Sequence, residues 1–275
     1  MKFNLAALRP LWTALSVVAV LAVTGAVVRP FEQPAWDFVR GQQPALKLES
    51  LQGALGQGVT VGLLGGFRAI VADFFWIQTN SVWEDSDLPA TQTFIKLVTA
   101  IDPRPLYFWQ NGSRMIAYDM PNWRIVKEGG YDVVPQARQR KIDEEQSAVA
   151  LKYLDEAFGH HPDSALLYVE IANVYLNRLK DPASAAEAYR KASLAPNAPY
   201  YAARIYAELL MRKLGRTAEA YAWLKQLYPT LPKVADPDKG ITPFQIESAM
   251  APVILDRIHE MEKELNIAPD EAFKP

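Results

Sequence analysis

Residue types that do chemistry are sparse in this chain. It has three histidines and no cysteine, which excludes thiolate nucleophiles, disulfides and thiolate metal ligands. His160 and His161 are adjacent at the end of a helical pattern, and His259 stands alone near the C-terminus. None has carboxylates at metal-ligand spacing, so no metal site is expected. A catalytic histidine needs a nucleophile or an acid within hydrogen-bond reach. The His160-His161 pair has neither nearby in sequence, and no glycine-flanked serine elbow occurs. Glu84, Asp85 and Asp87 form a carboxylate cluster at a helix end, where acidic runs usually face solvent. The string Gly56-Gln57-Gly58-Val59-Thr60-Val61-Gly62 suggests a phosphate loop. It lacks the Gly-Lys-Ser/Thr ending, and no βαβ pattern follows. The expectation is a non-enzyme without a cofactor.

The elements that carry these residues read as helices. Half of the 275 residues are hydrophobic and the net charge is −2, enough apolar material for a sizeable core and no sign of a nucleic-acid binder. Proline recurs at Pro162, Pro196 and Pro229, after intervals of 34 and 33 residues. Small and apolar residues at helical spacing lead up to each unit's end: Ala150, Leu154 and Ala157; Ala185, Tyr189 and Ala192; Ala220, Leu224 and Leu227. A period near 34 built of two short amphipathic helices marks a stacked helical repeat.

On these residues the stretch from Asp143 to Pro232 resembles tetratricopeptide (TPR) repeats. Tyr168, Ile171, Ala172 and Tyr175 follow Pro162 at the family's first-helix spacing, and Ala202, Ile205, Tyr206 and Leu209 form a degenerate copy after Pro196. The strings LGGFRAIVADFFWIQ and AIDPRPLYFW are similar to those of a group of membrane-anchored bacterial TPR-like proteins. The resemblance implies an all-α fold: a right-handed stack of about four antiparallel helix hairpins, closed by a C-terminal capping helix. It also implies a protein or peptide ligand on the inner face of each first helix. Counting from each closing proline places Arg114, Asn173 and Ala207 at the centre of that face. Gln110 and Tyr118, Val169 and Asn177, and Ala203 and Met211 flank them, with Arg204 beside Ala203. Asn80 is the equivalent in the first hairpin. Gln110, Arg114, Asn173, Asn177 and Arg204 are therefore the expected partner-binding residues, since amides and guanidinium groups grip a peptide carboxylate or backbone. The lysines of the carboxylate-clamping subgroup are missing. The competing reading makes Asn173 and Asn177 solvated helix residues and Arg114 an anchor for the neighbouring loop.

The chain divides by composition. Lys2 and Arg9 precede an uncharged run from Pro10 to Val28, which as a helix spans about 28 Å of a roughly 30 Å hydrocarbon core. Residues 1–28 are read as a cytoplasmic tip and a single transmembrane anchor in contact with lipid. Trp12 sits at its interface, and the bulk of the chain lies on the periplasmic side of the inner membrane. A cleavable signal peptide with Thr24-Gly25-Ala26 as its small-residue site is the alternative; the length of the run favours the anchor. Residues 29–64 are a linker rich in proline and glycine.

Residues 65–232 form the repeat domain, beginning with a hairpin from Gly65 to Ile101. Arg68 and Asp73 exclude a second membrane span there, at roughly 2.5–3.5 kcal/mol each, and are expected as a partly buried ion pair or a cap. Pro121, Gly129-Gly130 and Pro135 predict an inserted loop over 119–142, with Trp123 and Tyr131 as docking residues. Asp181 and Thr217 are expected helix caps, and Gly215 a helix terminator. Residues 233–275 form a linker and the capping helix. That helix opens on a Thr242–Gln245 capping box, is bent at Pro252 and frays beyond Leu265. Two functions follow: a membrane-tethered adaptor binding a partner through the helical face, or a structural subunit of a transport, secretion or filament assembly. The second would dock through the anchor and loop 119–142.

Overall fold

A computed structural model describes residues 66–232, 234–248 and 251–275. The expected anchor, the linker over 29–64 and the glycine string lie outside the described residues. Among the described residues no helix is long and apolar enough to cross a membrane, and the only β pairing is an isolated bridge between Asp236 and Ile241. The fold of this part is all-α.

Helix α1 (Arg68–Glu84) buries Ala72, Phe75, Trp76 and Thr79. Asp73 is exposed and Arg68 half-buried. Ser86, at φ 55°, turns the chain into α2 (Leu88–Ile101), where Asp87 Oδ1 accepts from the Ala90 amide at 3.1 Å. This side chain takes up one of the orphan donors of a helix start. The outer row of α1 and the residue before it, Phe67, Ile70, Phe74 and Ile77, is more than half exposed.

The second hairpin departs most from the sequence reading. The expected loop over 119–142 is largely helical. Helix α3 (Leu106–Arg114) runs through a π-helical turn (Met115–Asp119) into α4 (Met120–Lys127). Proline inside a helix lacks a donor and clashes with the carbonyl four residues back. The π turn absorbs both defects just before Pro121: the Met120 amide reaches back five residues to Met115 O. Helix α4 stops at Gly129 and Gly130, whose φ values of 118° and 90° suit glycine, and the Gly130 amide donates to Ile125 O at 2.9 Å. Helix α5 (Gln136–Phe158) starts two turns earlier than the repeat pattern suggests. Ile125, Val134 and Ile142 form a small core under this turn, and Arg138 grips Glu128 across it with two bonds of 2.9 and 2.6 Å.

Helices α6 (Ala165–Asn177), α7 (Pro182–Leu194), α8 (Tyr200–Leu214) and α9 (Thr217–Leu227) continue the order, each packed on the next. Asp181 caps α7 as expected, accepting from the Ala183 and Ser184 amides at 3.1 and 3.0 Å. Gly215 ends α8 in the left-handed conformation, also as expected. Thr217 does not cap α9; its hydroxyl donates instead to Glu264 at 2.9 Å. The Thr242–Gln245 capping box forms with bonds of 2.7 and 3.2 Å and opens a short helix, α10 (Pro243–Ser248). The apolar stripe continues on α11 (Ala251–Glu264), whose Ile254, Ile258 and Met261 pack on α9.

The tail beyond Leu265 does not fray. Phe273 lies edge-on to Tyr228, and its amide donates to Glu262, a buried carboxylate that also accepts from the Tyr221 hydroxyl at 3.0 Å. A buried carboxylate with two donors fixes the chain end to α9 and α11.

Candidate functional site

Side chains separated by three or four residues share a helix face, and such a row from α3, the π turn and α6 converges on one carboxylate. Glu170 keeps 3% of its side-chain surface exposed. It accepts from Arg114 Nε at 3.1 Å, from Arg114 Nη2, and from Gln110 Nε2 at 3.4 Å. Direct packing of α3 on α6 brings these residues together across 56 to 60 positions of sequence. Around them stand three phenols. Tyr118 lies beneath the Arg178 guanidinium, 5.7 Å from the ring centroid, and Arg178 itself pairs with Asp143. The Tyr189 hydroxyl donates to Asn173 Oδ1 at 2.8 Å. Tyr201, on α8, feels both the Glu170 and the Arg114 charge.

The residues expected to bind a partner therefore separate into two groups. Gln110, Arg114 and Asn173 do lie on one face, and each makes a hydrogen bond within the protein, the first two to Glu170 and the third from Tyr189. Arg114 serves as the counter-charge of Glu170 rather than as an anchor for a loop. Asn177 is exposed, and its amide reaches only to the Tyr118 hydroxyl at 3.5 Å, the outer limit of a hydrogen bond. Arg204 is half-buried with Nε unsatisfied, and no ion pair or hydrogen bond joins it to the Glu170 cluster among the described residues. Glu170 went unrecognised in the sequence. It sits in the apolar run Val169–Ile171, where a lone acid signals a buried partner, but nothing local names that partner.

The phenols report on this face. Burial pushes the Tyr189 hydroxyl up to about 12, helped by the nearby Tyr201, Tyr118 and Glu170 groups. Burial is also the leading cause of the upward shifts at Tyr118 and Tyr201. A phenol harder to ionise in the folded state contributes stability that is complete below its unfolded value near 10 and is lost as pH rises from there to about 12. The melting temperature is expected to hold steady from about pH 7 to 9 and to fall above about pH 10. Each resisting phenol adds a slope of about 1.4 kcal/mol per pH unit. Tyrosinate absorbance during an alkaline titration should rise together with the loss of helical circular dichroism; full ionisation of a still-folded chain would contradict this.

His160 and His161 both lie at the α2–α3 junction. His161 Nε2 lies 3.1 Å from the Pro103 carbonyl oxygen, which also accepts from Trp109 Nε1 at 2.8 Å. His160 stacks on the Trp109 ring at 5.8 Å. Among the described residues no cluster of acids and histidines has the arrangement to hold a metal ion.

The two expected docking residues also separate. Tyr131 is exposed, and its carbonyl accepts from Gln139 Nε2 at 2.8 Å, so its backbone belongs to the turn that closes α4. Trp123 packs against Trp83, with ring centroids 6.5 Å apart, and borders a cavity of about 910 Å³ between the α1–α2 turn, α4 and α5. No protein-family model matches the chain, and a search of the curated proteins finds none similar to it.

Proposed function

We propose that this chain is a membrane-tethered adaptor of the TPR kind, a right-handed stack of about four hairpins closed by α11. In this reading it recruits a protein partner through its concave face while the run at 11–28 crosses the inner membrane once. The observation that carries the reading is the convergence of polar and phenolic side chains from α3, the π turn, α6 and α8 around Glu170. Such a floor is rigid, and beside it the exposed Asn177 and the half-buried Arg204 offer donors to a peptide backbone or carboxylate.

The test uses the full chain in lipid nanodiscs. Proteins that co-purify with it are identified, and their affinity is measured for the wild type and for the pair Asn177→Ala with Arg204→Gln. Two polar contacts at roughly 0.5–3 kcal/mol each predict at least a tenfold loss of affinity, with stability changed by less than about 1 kcal/mol. An unchanged affinity in a stable variant would remove the groove from the reading. Complete release of the chain from membranes by alkaline extraction would remove the tether.

The exposed row Phe67, Ile70, Phe74 and Ile77 favours a second reading, a structural subunit of a membrane assembly. The end unit of a stacked array needs a polar outer face unless something covers it. Exchanging residues 1–28 for an unrelated membrane helix should spare an adaptor and damage such a subunit.

A further inference from the structure

Among the described residues only α1, with the residue before it, carries more than one large apolar side chain that is exposed. Phe67, Ile70, Phe74 and Ile77 keep 58, 64, 54 and 63% of their surface open. The Val71 amide donates to Phe67 O at 3.0 Å, so Phe67 shares the helical register. The row steps by three, four and three residues. At about 100° per residue, its members fall within about 80° of the helix surface. That is the narrow seam of a two-helix contact rather than the wide stripe by which a helix joins a core. The row is also held in place. The Phe74 ring lies edge-on to Phe75 at 5.6 Å, and Phe75 stacks on Phe94 of α2 at 5.9 Å.

Asp73 borders one edge of the seam and Gln78 the other. Asp73 is exposed, and neither side chain makes an ion pair or a hydrogen bond among the described residues. These edges decide between occupants. A helix that lies on lipid carries lysine and arginine along its polar face. Helix α1 has a single basic residue, Arg68, and a carboxylate beside its apolar row. Among the described residues, a second seam of this spacing exists only on another copy of α1. In a parallel pair of seams opposite edges meet, so each Asp73 carboxylate accepts from the Gln78 amide of the other copy. An antiparallel pair would bring the two Asp73 edges together. At their exposures the four side chains leave roughly 500 Å² open on one copy. Two copies would bury roughly 1,000 Å², the size at which a specific interface begins.

We propose that α1 is a self-association surface on which two copies of this chain pair in parallel. Phe67, Ile70, Phe74 and Ile77 each meet their own counterpart. The contact is isologous and closes on itself, so it gives a dimer and not a filament. The seam stops after two heptads, where Ser81 and Glu84 take the next two places. The proposal rests on the structural-subunit reading in one respect, that the row is covered, and needs neither the groove nor the tether.

The experiment follows the full chain in density-matched detergent by sedimentation velocity, beside Ile77→Lys and Ile77→Glu. The wild type is expected to be dimeric at about 100 μM. Each variant alone should associate at least tenfold more weakly, because like charges meet across the seam. An equimolar mixture of the two should recover the dimer, which requires residue 77 of one copy to face residue 77 of the other. The chain has no cysteine. Ile77→Cys should therefore give a disulfide-linked dimer on mild oxidation, and Lys96→Cys, exposed on α2, should not.

A wild type that is monomeric at that concentration overturns the proposal. So does a dimer that Ile77→Lys leaves intact, or a mixture that stays monomeric. If the charged variants fail to fold, the two cysteine variants decide. Capture of a different protein that Ile77→Lys abolishes, by a chain that stays monomeric, keeps the subunit reading and sinks this one. A dimer broken by Ile77→Lys, in a chain indifferent to the exchange of residues 1–28, does the reverse.

Discussion

Replacing Gly112 with valine is expected to destabilise the second hairpin by about 3 kcal/mol or more. Gly112, on α3, faces Ile95 of α2 and Tyr153 of α5. A Cβ placed there meets Ile95 Cγ2 at 2.8 Å, the Tyr153 hydroxyl at 2.8 Å and Tyr153 Cε1 at 3.1 Å. Neither neighbour has room to yield. Ile95 is fully buried, and Tyr153 is wedged against Trp109 with its hydroxyl donating to Phe108 O at 3.2 Å. Moving Tyr153 would break that bond and open the Trp109 contact. Alanine at the same place recovers about 1 kcal/mol of helix propensity over glycine, so Gly112→Ala should cost clearly less than Gly112→Val. At about 2–4 °C per kcal/mol for a domain of this size, valine should lower the melting temperature by about 6–12 °C. Thermal denaturation followed by circular dichroism decides the matter, and a valine variant as stable as wild type would mean that the three helices are not in contact there.

Arg114→Ala should cost about 2–3 kcal/mol, although the arginine side chain is 53% exposed. The loss falls on Glu170, which would keep a buried charge with only Gln110 beside it. Breaking a buried pair from one side typically costs 3–5 kcal/mol, and the solvent around Arg114 reduces that figure. The pair as a whole need not stabilise the fold, because desolvating two charges offsets much of their attraction. Arg114→Met with Glu170→Leu should therefore recover most of what the single substitution loses. A double-mutant cycle in chemical denaturation measures the coupling; a value under about 0.5 kcal/mol would make Arg114 a surface residue free for a ligand. For this reason Arg114→Ala and Asn173→Ala are poor probes of partner binding. Both would report damage to the Glu170 cluster, whereas Asn177 and Arg204 lie outside its hydrogen bonds.

Helix caps and apolar periodicity were legible in the sequence because they depend on residues within one or two turns. Asp181 meets its own next two amides, Gly215 relieves its own backbone, and Thr242 and Gln245 cap each other. The all-helical character and the hairpin-sized spacing of the units followed from the same short-range rules. Tertiary structure decided everything that depends on how one hairpin registers against the next. On a helix each residue turns the face by about 100°, so a single step of register decides whether Glu170 faces water or Arg114, 56 positions earlier. Thr217 had the chemistry of a cap but found Glu264 across the bundle, and Phe273 had the look of a free end but found Tyr228 and Glu262. Pro121 read locally as a helix breaker. A π turn packed between neighbouring helices, with Asp119 held by Trp83 Nε1 at 2.9 Å, lets the helix continue past it. That continuation carries Trp123 and Lys127 to the cavity wall.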